Sequence, residues 1–175
     1  MDAIAGEHGE GEIRARTLED VYERNAPGAV RLAYLITSDA ELARDVVQDA
    51  FVRVAGRFGH LRVPDAFDAY LRRAVVNLCT SHFRRRRVER SYLDRAAAEP
   101  PREDLGPDLG VRDELRTALR SLPVRQRTAI ILRYYEDLSE HQVADAMRCS
   151  VPAARSLIGR GMQTLRTMIG NEDER

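Results

Sequence analysis

The stretch SEHQVADAMRCSVPAARSLIGRG, residues 139–161, decides the fold of the C-terminal part of this chain. Ser139 and Gln142 stand at the spacing of a capping box, in which each side chain satisfies a free backbone N–H of the other. The spacing predicts a short helix with Val143, Ala144 and Met147 facing inward. Arg148-Cys149-Ser150 then reads as a three-residue turn, and Ser150 is placed to cap a longer helix running from Val151 to Ile169. A short helix, a tight turn and a longer helix near a chain end form the helix-turn-helix pattern. On the second helix Pro152, Ala153, Arg155, Ser156 and Arg160 project outward, and Ala154 and Ile158 inward. Arginine can bond guanine bidentately, and serine can serve bases or phosphate.

Upstream of this motif, Val111–Leu122 and Pro123–Tyr135 read as two helices, with Pro123 suited to a first helical turn. Further upstream, residues 96–110 (AAAEPPREDLGPDLG) mix proline, glycine and acid, a composition that resists helix and acts as a linker. The chain therefore divides into an acidic N-terminus (1–16), a helical domain (17–93), a linker (94–110), a helix-turn-helix domain (111–170) and an acidic tail (171–175).

The N-terminal domain reads as three helices. The first covers about 17–37 and is interrupted near Pro27-Gly28. The second opens on Ser38-x-x-Glu41 as a capping box and carries an apolar stripe of Leu42, Val46, Ala50 and Val54. Its opposite stripe, Asp45, Gln48, Asp49 and Arg53, is fully polar, which by itself describes any solvated helix face. The third, from Asp65 to about Arg87, places Phe67, Leu71, Ala74, Val75 and Leu78 on one face. Arg73, Asn77, Thr80, Ser81 and Arg84 lie on another. It ends in the run Arg84-Arg85-Arg86-Arg87, where cations would suit the helix macrodipole and could meet phosphates.

Composition limits the alternatives. The formal net charge is zero, yet residues 17–93 hold 13 Arg against 10 acids and residues 111–170 hold 10 Arg against 6. The two domains are thus basic, by +3 and +4, and the offsetting acid sits in the N-terminus, linker and tail. A basic body is the electrostatic footprint that phosphate binding needs. All 28 basic residues are arginine and none is lysine, a usage that suggests a GC-rich genome. No apolar run approaches the ~18 residues of a membrane span. The N-terminus has no secretory pattern, and two cysteines are too few for a disulfide framework, so a reducing cytoplasm is expected. Cys79-x-x-His82 has a spacing used by zinc sites, but nothing in the sequence nominates two further ligands, so no metal or other cofactor is expected. No nucleophile elbow, phosphate-cradling glycine loop or metalloprotease motif is present, which argues against an enzyme.

Taken together, the chain resembles a bacterial RNA polymerase sigma factor of the extracytoplasmic-function (ECF) class, actinobacterial-like. The resemblance covers most of the chain and is carried by three stretches in order. AELARDVVQDAFVRV (40–54) is similar to the family's core-polymerase-binding helix, with its pattern at Asp45 to Phe51. AYLRRAVVNLCTSHFRRRR (69–87) is similar to the helix that engages the minus-ten promoter element. LPVRQRTAIILRYYEDLSEHQVADAMRCSVPAARSLIGRG (122–161) is similar to the domain that reads the minus-thirty-five element. The resemblance implies an alternative transcription-initiation factor built as two small all-α domains, and it implies roles for particular residues. Asp45, Gln48, Asp49 and Phe51 would dock on core polymerase, whose largest and second-largest subunits are the expected partners. His60 and Arg62 of the loop before Pro64, with Arg73, Asn77, Arg84 and Arg85, would capture melted minus-ten DNA, including a base flipped from the stack. Ser150, Ala153, Arg155, Ser156 and Arg160 would meet the minus-thirty-five duplex. A cognate anti-sigma factor is a further implied partner.

Some positions depart from the family pattern. Tyr70 stands where tryptophan is usual and Ser81 where aspartate is frequent. Arg148 occupies a turn position that usually holds glycine and is expected to need positive φ, at a cost on the order of 1 kcal/mol. Leu157 is expected exposed at the groove, and Gly159 and Gly161 are expected to weaken the reading helix by roughly 1 kcal/mol each. The competing reading is a helix-turn-helix regulator that binds duplex DNA alone. It accounts for residues 122–169 and leaves 40–54 and 69–87 without a task.

Overall fold

The computed structural model describes residues 18–56, 64–92 and 113–170, and every regular element among them is helical. In chain order these are α1 (Leu18–Thr37), α2 (Ala40–Ala55), α3 (Pro64–Tyr92), α4 (Asp113–Ser121), α5 (Val124–Ile130), α6 (Glu140–Ala146) and α7 (Val151–Gly170). The expected all-α class is what the chain adopts. The loop holding His60 and Arg62, the linker and both termini lie outside the described residues.

Helix α1 runs unbroken through Pro27, where the sequence predicted an interruption. A proline inside a helix costs about 3 kcal/mol through the lost N–H bond and its clash with the preceding turn. Buried Ala26, Ala29, Leu32, Ala33 and Ile36 continue across that point, and their burial outweighs the local cost. The start of α2 also differs from expectation. Ser38 lies in the left-handed region at φ 57°, whereas an N-cap residue needs extended backbone. Asp39 is extended instead, and its carboxylate accepts from the Leu42 N–H at 2.9 Å. The capping box therefore does not form. Helices α1, α2 and α3 enclose a core that holds Phe51 and Phe67, ring centroids 5.8 Å apart, with the half-exposed Tyr22 ring covering Phe51 from the surface at 4.7 Å.

In the C-terminal body, α5 continues into a π-helical segment, Ile131–Tyr135, closed by a bond from the Glu136 N–H to the Ile131 carbonyl at 3.1 Å. The wider turn keeps Ile131 and Leu132 buried and leaves Tyr134 and Tyr135 exposed. Pro123 sits at the N-cap of α5, one residue before the expected position. Helix α7 packs on α5 through Gly161. A Cβ placed there would lie 2.5 Å from Ile130 Cδ1, so this glycine permits close helix approach. Both bodies share one continuous apolar cluster, in which Val75 and Cys79 of α3 join Ala129, Leu132 and Val143.

Candidate nucleic-acid interface

Helix α2 presents Asp45, Gln48 and Asp49 on its exposed face. Val52, 70% exposed, continues that stripe by one turn and adds an apolar spot that the sequence reading did not single out. Phe51 does not belong to the surface. Its ring is 6% exposed and lies edge-on to Tyr22, so it anchors the helix beneath the stripe. Phe51 lies four residues after Val47 and three before Val54, so helical periodicity could have placed it on the buried face.

Helix α3 extends to Tyr92, about 43 Å at 1.5 Å per residue for 29 residues. The run Arg84–Arg87 therefore lies within the helix and not at its end, so the expected gain from the macrodipole does not apply to it. Successive arginines point about 100° apart, and of the four Arg84 and Arg87 line the groove beside the C-terminal body. Arg73, Asn77, Thr80 and Ser81 form a half-buried stripe leading to them. His82 is kept below the usual imidazole range by burial, with Arg86 and Arg85 adding to the effect, so it is neutral at pH 7.

A groove of 1710 Å³ separates α3 from the C-terminal helices. Six arginines line it, Arg53, Arg73, Arg84, Arg87, Arg125 and Arg148, and among the described residues no carboxylate belongs to the lining itself, though Arg73 is paired with Asp145 beside it. Such a concentration of one charge in a concave site raises the local attraction for polyanions. The bodies meet at one end of it. There Arg73 pairs with Asp145 of α6, and Arg72 Nε donates to Glu136 Oε2 at 3.0 Å. Beneath them Arg127, 5% exposed, lies 5.6 Å over the Phe83 ring, donates to the Arg120 carbonyl at 3.4 Å and leaves its Nε without a partner. Burial lowers its pKa to about 10, and burial also pushes the neighbouring Cys79 thiol up to about 12. None of these cross-body contacts has a sequence signal, since each joins residues more than 40 positions apart.

The helix-turn-helix forms as the sequence predicted. The Ser139 N–H donates to Gln142 Oε1 at 2.8 Å and the Gln142 N–H to Ser139 Oγ at 3.3 Å, which completes the capping box. Val143, Ala144 and Met147 are buried. Arg148 takes φ 50°, the left-handed conformation the turn demands. The Ala153 N–H donates to Ser150 Oγ at 3.3 Å, which caps α7. Ser150, Arg155, Ser156 and Arg160 are exposed along its first turns, while Ala153 is half-buried. Arg155 is engaged, donating through Nε and Nη2 to Glu140 Oε2 at 2.9 and 2.6 Å. That hydrogen bond is the main reason the Glu140 carboxyl sits below its usual range. Leu157, expected exposed, packs half-buried against the core.

Family models match in two places: sigma-70 region 2 over residues 21–89 and sigma-70 region 4 over residues 112–165. The RNA polymerase sigma-E factor of Streptomyces antibioticus is 31% identical over 96% of this chain and 89% of its own length. The chain belongs to the sigma-70 family. The counterpart in Streptomyces coelicolor is 30% identical over 92% of this chain and 86% of its own. The ECF RNA polymerase sigma factor SigE of Mycolicibacterium smegmatis is 32% identical over 85% of this chain and 60% of its own. This is an ECF sigma factor. Among solved structures, the fold is similar to the sigma factor RpoE in complex with the anti-sigma factor NepR from Bartonella quintana. The match has a TM-score of 0.67 and 22% identity, and it covers 87% of this chain and 96% of that one. It is also similar to CnrH in complex with the cytosolic domain of CnrY, at TM-score 0.61 and 23% identity over 88% of each chain.

These matches sort the interface by region. Sigma region 2 contains the α2 stripe and the whole α3 stripe through Arg87. Sigma region 4 contains α4 to α6 and most of α7, including every helix-turn-helix residue discussed above. No helix among the described residues is long and apolar enough to cross a membrane.

Proposed function

We propose that this ECF sigma factor binds core RNA polymerase through Asp45, Gln48 and Asp49 and brings it to promoters recognised at two elements. The observation that carries the reading is the pairing, in one chain and in order, of region 2 with its long arginine-bearing helix and region 4 with its helix-turn-helix. A regulator acting alone on duplex DNA would need only the second. Arg73, Asn77, Arg84 and Arg85, with His60 and Arg62, would hold the unpaired minus-ten strand, where phosphate contacts position and stacking repays the cost of unstacking. Arg155, Ser156 and Arg160 would contact the minus-thirty-five duplex, with Ser150 and Ala153 at the helix start against the backbone.

In this role the chain carries out no covalent chemistry itself and needs no cofactor; the catalysis belongs to the polymerase. It would act in the cytoplasm, where polymerase and promoter are. Both structural relatives named above are sigma factors complexed with an anti-sigma factor, which supports a cognate anti-sigma partner for this chain too.

The test is run-off transcription with purified core polymerase on fragments selected from the source genome. The factor should direct initiation from defined start sites, and Asp45→Ala/Gln48→Ala/Asp49→Ala should abolish it together with core binding. Initiation indistinguishable from core alone would end this reading.

A further inference from the structure

We propose that Glu140 is a positioning residue for promoter reading. It holds the Arg155 guanidinium by one edge, so that the other edge meets a guanine of the minus-thirty-five element. The inference rests on the assignment of Arg155 to that duplex made above and names what it reads there.

The hydrogen bonds define the geometry. Arg155 Nε and Nη2 both donate to Glu140 Oε2, at 2.9 and 2.6 Å. A guanidinium is planar and its donors form a fixed fork. With the Nε–Nη2 edge engaged, the remaining donors are those of Nη1 and the outer N–H of Nη2, side by side at the end of the side chain. Guanine presents two acceptors, O6 and N7, to such a pair in the major groove. Both residues stand on fixed backbone. Glu140 is the first residue of α6, directly after the N-cap Ser139 and its capping box. Arg155 follows closely on the Ala153 N–H that Ser150 caps.

Stability does not account for the pair. The Arg155 side chain is 68% exposed and that of Glu140 35%, so water and salt screen the attraction. What the pair changes is freedom. An exposed arginine samples many rotamers, and binding a base in one orientation gives that freedom up. Held by Glu140, Arg155 has given it up before DNA arrives. The pair also answers an electrostatic problem. The first helix of a helix-turn-helix crosses the DNA backbone, where a bare carboxylate would be repelled by phosphate. The Arg155 cation offsets the Glu140 charge at that place, and its hydrogen bonds keep the carboxyl below the usual range.

The experiment uses the holoenzyme on a promoter defined by run-off transcription. Each base pair of the minus-thirty-five element is replaced in turn, and binding is measured by competition for the unmodified factor, Glu140→Ala, Glu140→Gln and Arg155→Ala. Arg155→Ala should reduce the preference for one guanine by about 5-fold or more. Glu140→Ala should relax the preference at that same base pair by about 3- to 10-fold and leave the other base pairs as they were. Its binding to unrelated duplex should not weaken, because the change removes a negative charge facing phosphates. Glu140→Gln keeps a carbonyl that accepts from Arg155, so it should fall between the alanine variant and the unmodified factor. It also replaces the alanine variant if that one melts early by circular dichroism. Full guanine preference in both Glu140 variants would overturn the positioning role. A loss spread evenly over every base pair would overturn it too, since that is what a merely structural residue gives. Arg155→Ala with every base preference intact would instead refute the assignment of Arg155 to the minus-thirty-five duplex, so the two ideas fall separately.

Discussion

Two glycines on α7, two residues apart, make a sharp test of how far packing overrides helix propensity. Both sit inside the same helix, so replacing either with alanine should recover about 1 kcal/mol of backbone propensity. Their surroundings differ. A Cβ on Gly159 meets nothing within 4 Å, whereas a Cβ on Gly161 would stand 2.5 Å from Ile130 Cδ1, 3.2 Å from Ile130 Cγ1 and 3.4 Å from Gln126 Cβ. Gly159→Ala should therefore stabilise by roughly 0.5–1 kcal/mol, a rise of about 2–4 °C in melting temperature for a chain of this size. Gly161→Ala forces Ile130 off its rotamer or α7 away from α5, at about 1–3 kcal/mol. Set against the same propensity gain, its net effect should lie between zero and about 2 kcal/mol of destabilisation. Ile130→Val removes Cδ1 and so supplies the control: in that background Gly161→Ala should recover at least about 1 kcal/mol relative to its effect in the unmodified chain. Urea unfolding followed by circular dichroism, with slopes checked for constancy, gives the four corners of the cycle. Equal stabilisation by the two alanines, or no coupling to Ile130, would refute the close-approach argument.

Other expectations follow from burial and hydrogen bonding. Phe51→Ala should cost about 3–5 kcal/mol of stability, because the buried ring packs on Phe67 beneath Tyr22, while Asp45→Ala should leave stability within about 0.5 kcal/mol. Comparable thermal shifts for the two would contradict the placement of Phe51 under the stripe. Ser139→Ala removes one arm of the capping box and should lower stability by about 1 kcal/mol, read by urea unfolding; no loss would mean the box adds nothing beyond what water supplies. With Cys149→Ser to isolate it, Cys79 should resist a thiol reagent at pH 8 and react on unfolding, because burial pushes its thiol to about 12; rapid native-state labelling would count against that burial.

The sequence made the helix-turn-helix legible nearly to the residue because its signals are local. Ser139 and Gln142 cap each other across three positions, and Arg148 stands where the backbone must turn left-handed. The amphipathic faces of α2 and α3 were legible for the same reason. Local rules failed where distant atoms decide. Pro27 reads as a break, yet burial on both sides carries α1 through it. Leu157 reads as exposed because nothing in its neighbourhood announces the core that takes it in. Of the candidate DNA residues, Arg84 and Arg160 lie open as the pattern suggests, but Arg73 and Arg155 are held by Asp145 and Glu140. The partners of those two arginines are set by how helices cross, and Asp145 lies 72 positions from Arg73.

Arg73 bridges the two bodies through Asp145 and is also proposed to handle promoter DNA. A change there would alter the contact between the bodies as well as any minus-ten preference it carries. Retuning such a preference through α3 would then call for a matching change in α6. The trace of such retuning should be paired changes at positions 73 and 145, visible as covariation between two residues that no shared ligand connects.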